Sequence, residues 1–188
     1  IEFLFKKNKV TYFKGKGVIF SKNNVVVYHQ DKKTSYDAKN IVIATGSYPA
    51  SLPGIEINEK NIISSTAALS LESVPKKLAV VGGGYIGLEM GSVWRRLGTE
   101  VTVIENLPNI TPGMDTEISK EFQKILTKQG IKFELNSKVS LIEDNGTNVK
   151  VEYLDNTKNE SKSLVVDKAL MAVGRKPYTE GLNLGKIG

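Results

Sequence analysis

The sequence predicts an α/β protein in which a parallel sheet with flanking helices is accompanied by antiparallel β-meanders. From Lys77 onward, apolar strand-like runs alternate with helix-like segments, an order typical of a doubly wound parallel sheet. Before and after these elements, short β-branched and aromatic runs are separated by turn residues such as Gly15-Lys16-Gly17, a spacing typical of antiparallel hairpins.

The first 76 residues predict a meander and a connector. The meander strands are expected at Val10–Phe13, Val18–Phe20 and Val25–Tyr28. The run Asn40–Ala44 is continuously apolar, which predicts a strand buried on both faces of a sheet and ending at Thr45-Gly46-Ser47. Residues 48–76 are rich in proline and predict a connector with one short helix over Thr66–Leu71.

The central region predicts the elements of the parallel sheet in order. Strands are expected at Leu78–Val81, Val101–Ile104 and Ile131–Leu135. Helices are expected over Tyr85–Leu97 and from the capping residue Asp115 to Gly130. Residues 138–166 predict a second meander, and Asp167–Val173 predicts a last buried strand before Gly174.

Each predicted helix carries apolar residues at helical spacing. In the first helix the stripe expected to face the core is Ile86, Met90, Val93 and Leu97. In the second helix it is Ile118, Phe122, Ile125 and Leu126. Gly91 lies inside the first helix, where glycine costs about 1 kcal/mol relative to alanine, so a close contact between helix and sheet is expected there.

Composition excludes several classes of function. The 188 residues contain no cysteine, which excludes disulfides and thiol chemistry within them, and no metal site is expected. The single histidine, His29, is expected to be a solvated strand residue rather than a catalytic one. The net charge of +6 comes from scattered lysines without interleaved aromatic residues, so no nucleic-acid partner is expected.

The sequence also predicts neither a membrane segment nor secretion. No apolar run approaches the roughly 20 residues that a membrane helix needs. At the N-terminus the apolar residues precede Lys6-Lys7, the reverse of the order in a secretory signal. Together with the absence of cysteine, this favours an intracellular setting, either a bacterial cytoplasm or a mitochondrial matrix.

A glycine-rich turn joins the first strand of the predicted parallel sheet to its helix. The run Gly82-Gly83-Gly84-Tyr85-Ile86-Gly87 follows a buried strand, opens a helix within a βαβ unit and precedes an acidic residue, Glu105. Gly82 permits the tight turn, Gly84 lets a pyrophosphate approach the backbone, and Gly87 lets the helix pack closely on the strands. The pattern predicts a Rossmann-like domain whose helix N-terminus faces the phosphates of a dinucleotide.

Glu105 lies at the end of the second strand, where a carboxylate accepts hydrogen bonds from the ribose hydroxyls of NAD and repels the 2′-phosphate of NADP. No arginine or lysine occurs between Glu105 and Lys120 to receive that phosphate. NAD is therefore favoured over NADP. The glycine turn leaves open a fold that binds another nucleotide or a methyl donor such as S-adenosylmethionine.

Three stretches of the chain carry a family resemblance, namely residues 80–105, 38–47 and 172–182. They closely resemble the dihydrolipoamide dehydrogenases, the flavoprotein components of 2-oxoacid dehydrogenase complexes, within the pyridine nucleotide–disulfide oxidoreductase family. The resemblance implies an NAD site formed by Gly82, Gly83, Gly84, Tyr85, Ile86, Gly87, Leu88, Glu89, Glu105, Val139 and Gly174. It implies FAD contacts from Gly17, Thr45, Gly46 and Ser47.

For two of these residues the sequence allows either a functional or a purely structural role. In the family Glu89 supports the nicotinamide side and pairs with a lysine of the flavin domain, although an acid in a first helical turn is also favourable for the helix itself. Tyr85 falls where related reductases carry a ring that shields the flavin, but a packing role is an equal alternative.

The sequence departs from the family pattern in ways that affect activity. The family's CxxxxC redox pair, its first GxGxxG motif for FAD, and its acid–base histidine with a partner glutamate are not found in these residues. With Ile1 in place of an initial methionine, the chain is expected to be the middle of a longer enzyme. Its predicted parts are a partial FAD-binding domain over residues 1–56, an NAD-binding domain over 57–174, and a return segment over 175–188.

The implied function is that of the NAD-binding portion of a dihydrolipoyl dehydrogenase, which oxidises dihydrolipoamide and passes hydride from FAD to NAD⁺. The longer enzyme is expected to be a homodimer that binds the lipoyl domains of a 2-oxoacid dehydrogenase complex. These residues alone are expected to bind NAD(H), to bind FAD weakly or not at all, and to be inactive. The alternatives are another family member (a soluble transhydrogenase, a mercuric reductase or a glutathione reductase-like enzyme) and a stand-alone NAD-binding module.

Overall fold

The computed structural model describes residues 1–187, which divide into two compact units. One unit contains residues 1–47 and the residues from Pro177 onward, and the other contains residues 48–176. Across residues 1–187, no helix is long and apolar enough to cross a membrane, and no cluster of histidine, aspartate or glutamate side chains is arranged to hold a metal ion.

The first unit is built on a three-stranded antiparallel sheet. After helix α1 (Glu2–Lys7), the chain forms β1 (Lys16–Ser21), β2 (Asn24–His29) and β3 (Lys32–Asp37), which pair in chain order. Ser21 pairs with Asn24 and His29 with Lys32, so both connections are tight turns of the kind that fixes hairpin register.

The predicted meander is confirmed, and so are two of its three strands, because Val18–Phe20 lies within β1 and Val25–Tyr28 lies within β2. Val10–Phe13 is not a strand, and the third strand is the polar run Lys32–Asp37. Five of the six residues in that run are exposed, so the sequence has no alternation of apolar and polar residues that would predict the strand. This strand forms because its backbone pairs with β2, and not because its side chains are buried.

The prediction of a buried strand at Asn40–Ala44 is wrong. The run has no regular structure, Val42 is 87% exposed, and no strand within residues 1–187 pairs with it. A parallel strand buried on both faces needs neighbouring strands and a covering layer on each side. The apolar pattern shows that the run could be a buried strand if such neighbours were present. It does not show whether the chain places neighbours beside it.

The remaining elements have the following bounds in chain order: β4 (Ser47–Pro49), β5 (Ile62–Ile63), α2 (Ser65–Ala68), β6 (Lys77–Val81), α3 (Tyr85–Arg96), β7 (Glu100–Ile104), α4 (Thr116–Lys128), β8 (Lys132–Glu134), β9 (Ser137–Asp144), β10 (Val149–Asp155), β11 (Glu160–Val166), β12 (Lys168–Met171) and β13 (Arg175–Pro177). A short 3₁₀ helix follows at Leu184–Lys186. The strands and helices predicted for the central region are confirmed, with ends that differ by a few residues.

The second unit has three layers. Its middle layer is a five-stranded sheet in the order β5-β12-β6-β7-β8, with every pair parallel. One face packs against the helices, where Leu88 and Trp94 of α3 and Leu126 of α4 join the core. The other face packs against the antiparallel sheet of β9, β10 and β11 through residues such as Val151. A doubly wound sheet would carry helices on both faces, so the β-meander here replaces one helical layer.

The face that α3 buries differs from the predicted stripe. Gly87, Leu88, Gly91 and Trp94 are buried, whereas Val93 and Leu97 are 49% and 55% exposed. Glycine scores as neither apolar nor large, so a hydropathy pattern cannot recognise the glycine face as the one that meets the sheet. Helix α4 begins as predicted, because the Asp115 carboxylate accepts the backbone N–H groups of Glu117 and Ile118. Its predicted core stripe is wrong at three of four positions, since only Leu126 is buried and the other three side chains are exposed along a groove beside α3.

Two hydrogen-bonded aspartates predict that stability falls in acid. Backbone N–H donation from Lys158 to the carboxylate of Asp155 lowers the pKa of that group, and the Asn61 amide lowers the pKa of Asp144. A carboxyl whose folded pKa is depressed stabilises the fold above its unfolded pKa of about 3.9 and loses this contribution as pH falls through the folded value.

We therefore expect the urea midpoint of unfolding to be constant near neutral pH and to decrease when the pH is lowered beneath about 4. The variant Asp155→Asn should unfold at a lower urea concentration at pH 7. Its urea midpoint should also decrease less steeply in acid, because the amide carries no negative charge that protonation could remove. Parallel pH profiles for the variant and the unmodified chain would contradict this assignment.

Candidate functional site

A cavity of about 690 Å³ lies in the second unit at the carboxyl ends of the parallel strands. Val81, Ile104 and Met171, which end β6, β7 and β12, all line it. Open parallel sheets bind their ligands at this edge, where the loops after neighbouring strands converge. The cavity is also large enough for a cofactor-sized ligand.

The glycine turn after β6 forms part of the cavity wall. Its three motif positions are occupied by glycine for different physical reasons. Gly82 has φ +106°, and a Cβ there would lie 2.4 Å from the Ala172 carbonyl oxygen. A Cβ on Gly87 would lie 2.4 Å from the Gly82 oxygen and 2.9 Å from Val80 Cγ1. The protein itself therefore requires these two glycines, one for the turn and one for seating α3 on the sheet.

Gly84 is different because nothing in the protein requires it to be glycine. Its φ is −77°, which any residue adopts, and no protein atom lies within 4 Å of the position its Cβ would take. Gly84 is also the N-cap of α3, and no side chain caps the first N–H groups of that helix. The open side of the turn thus offers uncapped backbone donors and the positive end of the helix dipole to an anion.

Glu105 is buried beside the turn, with 8% of its surface exposed. Its Oε2 accepts the Gly83 N–H at 2.6 Å, and its Oε1 accepts the Leu107 N–H at 2.8 Å. The carboxylate also lines the cavity. Each of its oxygens has a lone pair beyond the one that accepts a backbone N–H, so the group retains capacity to accept hydroxyl donors.

The structure places the predicted NAD residues in two groups. Those that line the cavity are Gly82, Gly84, Tyr85, Ile86, Glu105, Val139 and Gly174. The others lie behind or beside it: Gly83 and Gly87 are buried in the turn, Leu88 is in the helix–sheet core, and Glu89 is exposed along an apolar groove between α3 and α4. Tyr85 is 66% exposed and borders both the cavity and this groove, so it is not a packing residue of this chain.

Sequence reasoning missed several cavity residues, of which Lys138 bears most on the chemistry. The Ser137 N–H donates to the Glu105 carbonyl oxygen at 2.8 Å, which brings the start of β9 beside the end of β7, and Lys138 lines the cavity there. The loop after Glu105 contains no lysine or arginine, and this cation comes from a strand more than 30 residues later in the sequence. Arg175 also lines the cavity and lies in the stretch 172–182 that carries the family resemblance, whereas Ser65 lines the cavity without any motif that marks it.

The four residues predicted to contact FAD lie in the first unit. Thr45 donates its hydroxyl to the Tyr178 carbonyl oxygen, and the Gly46 carbonyl accepts the Tyr178 N–H at 2.9 Å. Gly17 is a paired residue of β1, opposite Val27, and Ser47 begins β4. The hydrogen of the Thr45 hydroxyl is thus engaged within the first unit, while its oxygen can still accept a hydrogen bond.

The sequence matches the pyridine nucleotide-disulphide oxidoreductase family over residues 1–188. It is 55% identical to the dihydrolipoamide dehydrogenase of Chaetomium thermophilum and 51% identical to the mitochondrial dihydrolipoyl dehydrogenase of Pisum sativum. Both alignments cover 100% of this chain and 38% of the relative, so the chain spans well under half the length of these proteins.

A solved structure shows the same fold. The HOCl-induced flavoprotein disulfide reductase of Escherichia coli matches with a TM-score of 0.76 at 28% identity, covering 100% of this chain and 43% of that one. The sequence match and the fold lead to one conclusion: the chain belongs to the pyridine nucleotide-disulphide oxidoreductase family.

Proposed function

We propose that residues 48–176 bind NAD(H) in the cavity at the end of the parallel sheet. The observation that carries this proposal is the open space at Gly84, where the protein itself would accept a side chain. A diphosphate brought against the backbone would not accept one, because a Cβ would hold it away from the N–H groups of the turn. A ligand of this shape therefore explains why position 84 is glycine.

The cavity residues fit the parts of a dinucleotide. The turn from Gly82 to Gly87 and the N-terminus of α3 would hold the diphosphate, and Glu105 would accept ribose hydroxyls. Val139 would flank the adenine, and Gly174 would lie along the nicotinamide. When bound, NAD⁺ supplies a hydride acceptor at C4 of its ring, and the task of these residues is to hold that ring rigidly.

Glu105 supports NAD over NADP because a buried carboxylate repels a 2′-phosphate. Lys138 lines the same cavity, so the discrimination does not come from a lack of cations. We expect NADH to bind more tightly than NADPH when both are titrated into the purified chain and followed by calorimetry. Equal affinities for the two nucleotides would refute the role given to Glu105.

The variant Gly84→Ala is the direct test of the nucleotide site. We expect it to weaken NADH binding at least about tenfold while changing the free energy of unfolding by less than about 0.5 kcal/mol, because the new Cβ meets no protein atom. Gly185→Ala is the matched control, since its Cβ also meets nothing within 4 Å and it lies outside the cavity. Unchanged NADH affinity in Gly84→Ala would count against the site.

For the longer protein we propose a dihydrolipoyl dehydrogenase, on the basis of 51–55% identity to proteins of that name. Such an enzyme would oxidise dihydrolipoamide on lipoyl domains, use FAD and NAD⁺, and act as a homodimer. Oxidation of a dithiol through a disulfide needs two cysteines, and these 188 residues have none, so we propose that they bind NADH without turnover. The test is dihydrolipoamide-dependent NAD⁺ reduction by the full-length protein, whose absence would favour another reductase of the family.

A further inference from the structure

We infer that Glu105 positions the glycine turn before any nucleotide arrives, in addition to meeting the ribose; this inference rests on the proposed NAD(H) site. A residue that only contacts ribose would keep both carboxylate oxygens for the ligand. Here Oε2 accepts the Gly83 N–H at 2.6 Å and Oε1 accepts the Leu107 N–H at 2.8 Å. The carboxylate therefore bridges two loops, the turn after β6 and the segment after β7.

The Gly83 peptide is held from its other side as well. Its carbonyl oxygen accepts the Thr111 N–H at 2.8 Å, and the Thr111 hydroxyl lies 2.8 Å from that of Ser119 in α4. Thr111 and Ser119 are both buried, and Thr111 adopts a left-handed backbone with φ +49°. A buried threonine in that conformation indicates a segment fixed by its surroundings. The turn is thus held between Glu105 and the loop that leads into α4.

Glu105 is itself fixed strongly enough to serve as an anchor. Its N–H donates to the Glu134 carbonyl oxygen at 2.9 Å, and its own carbonyl accepts the Ser137 N–H at 2.8 Å. A Cβ on Gly83 would lie 3.3 Å from Cβ, Cγ and Oε2 of Glu105, so the side chain rests directly on the turn. Rotating it away would leave two N–H donors without their acceptor.

This arrangement couples nucleotide selectivity to the shape of the turn. Glu105 cannot swing aside to admit a 2′-phosphate without releasing the Gly83 and Leu107 N–H groups. The turn that it holds receives the diphosphate, which NAD and NADP share. Removing Glu105 should therefore weaken both nucleotides, whereas a residue that only repelled the 2′-phosphate would, once removed, let NADP bind better.

The test combines amide hydrogen exchange, measured by NMR on the nucleotide-free chain, with titrations of NADH and NADPH. In Glu105→Ala we expect exchange at the Gly83 and Leu107 amides to accelerate at least about tenfold, with no change at the core amides of Val80 and Val103. We expect NADH affinity to fall at least about tenfold and NADPH affinity not to rise. Glu160→Ala is the control, because it removes one exposed acid far along the chain in β11.

Glu105→Gln provides a second measurement should the alanine variant fail to fold. A glutamine offers one acceptor oxygen where the carboxylate offers two, so one of the two amides should keep its protection and the other should lose it. Unchanged exchange at both amides in either variant, or a tenfold gain in NADPH affinity in Glu105→Ala, would overturn the inference. Failure of the unmodified chain to bind NADH would instead refute the proposed function, and the exchange result would still decide the positioning role.

Discussion

Replacing Gly82 with alanine is expected to lower the free energy of unfolding by about 3 kcal/mol or more and to abolish NADH binding. Two effects add at this position. A side chain at φ +106° is strained, and its Cβ would lie 2.4 Å from the Ala172 carbonyl oxygen and 2.8 Å from the carbonyl carbon. Relief requires the turn to move away from the loop after β12, which distorts the wall of the cavity.

Gly98 offers a closely matched control for this variant. Its φ is +107°, within a degree of that of Gly82, but no atom lies within 4 Å of its would-be Cβ. Gly98→Ala should therefore show the backbone strain alone, about 1–2 kcal/mol, with NADH affinity unchanged. Urea denaturation of the two variants separates strain from collision. Equal losses of stability would mean that the contact with Ala172 has no energetic weight.

Replacing Gly87 with alanine is expected to destabilise the chain by about 2–3 kcal/mol despite the higher helix propensity of alanine. The new Cβ would lie 2.4 Å from the Gly82 oxygen and 3.1 Å from Ala172 Cβ, so α3 would have to lift from the sheet. Because the N-terminus of α3 contributes to the cavity, we also expect weaker NADH binding.

Gly91 lies one turn further along the same helix and serves as the comparison. A Cβ there would lie 3.4 Å from Val101 Cγ1, an ordinary packing distance. Gly91→Ala should consequently be neutral or stabilising by up to about 1 kcal/mol, the propensity difference between the two residues. Thermal or urea unfolding of both variants tests this, and a larger loss in Gly91→Ala than in Gly87→Ala would reverse the assignment.

The sequence predicts the parts of this fold whose causes are local. Three such features are the βαβ unit, the Asp115 cap and the end of α4 just before Gly130, each of which follows from residues within a few positions of it. The motif glycines are likewise visible, because the turn and the close helix packing need them at fixed spacing. For these features, periodicity and turn chemistry suffice.

The features that sequence reasoning missed depend on distant partners. Strand β3 is polar and forms because β2 pairs with it, while Asn40–Ala44 is apolar and has no such partner within residues 1–187. Lys138 lines the cavity because β9 begins beside the end of β7. The burial of one face of the sheet by a meander was also invisible, since strand order along the chain does not say which layer each hairpin covers.

The bare apolar run at Asn40–Ala44 has a consequence for how this chain behaves in concentrated solution. Ile41, Val42 and Ile43 form an uncharged, β-branched stretch without proline, and Val42 and Ile43 are exposed. Such a stretch has unpaired backbone groups and is a template for intermolecular strand pairing. Lys39 is the only charged residue that flanks it closely. Self-association of this chain should therefore begin at this run, none of whose residues lines the cavity, and lost solubility would then precede lost nucleotide binding.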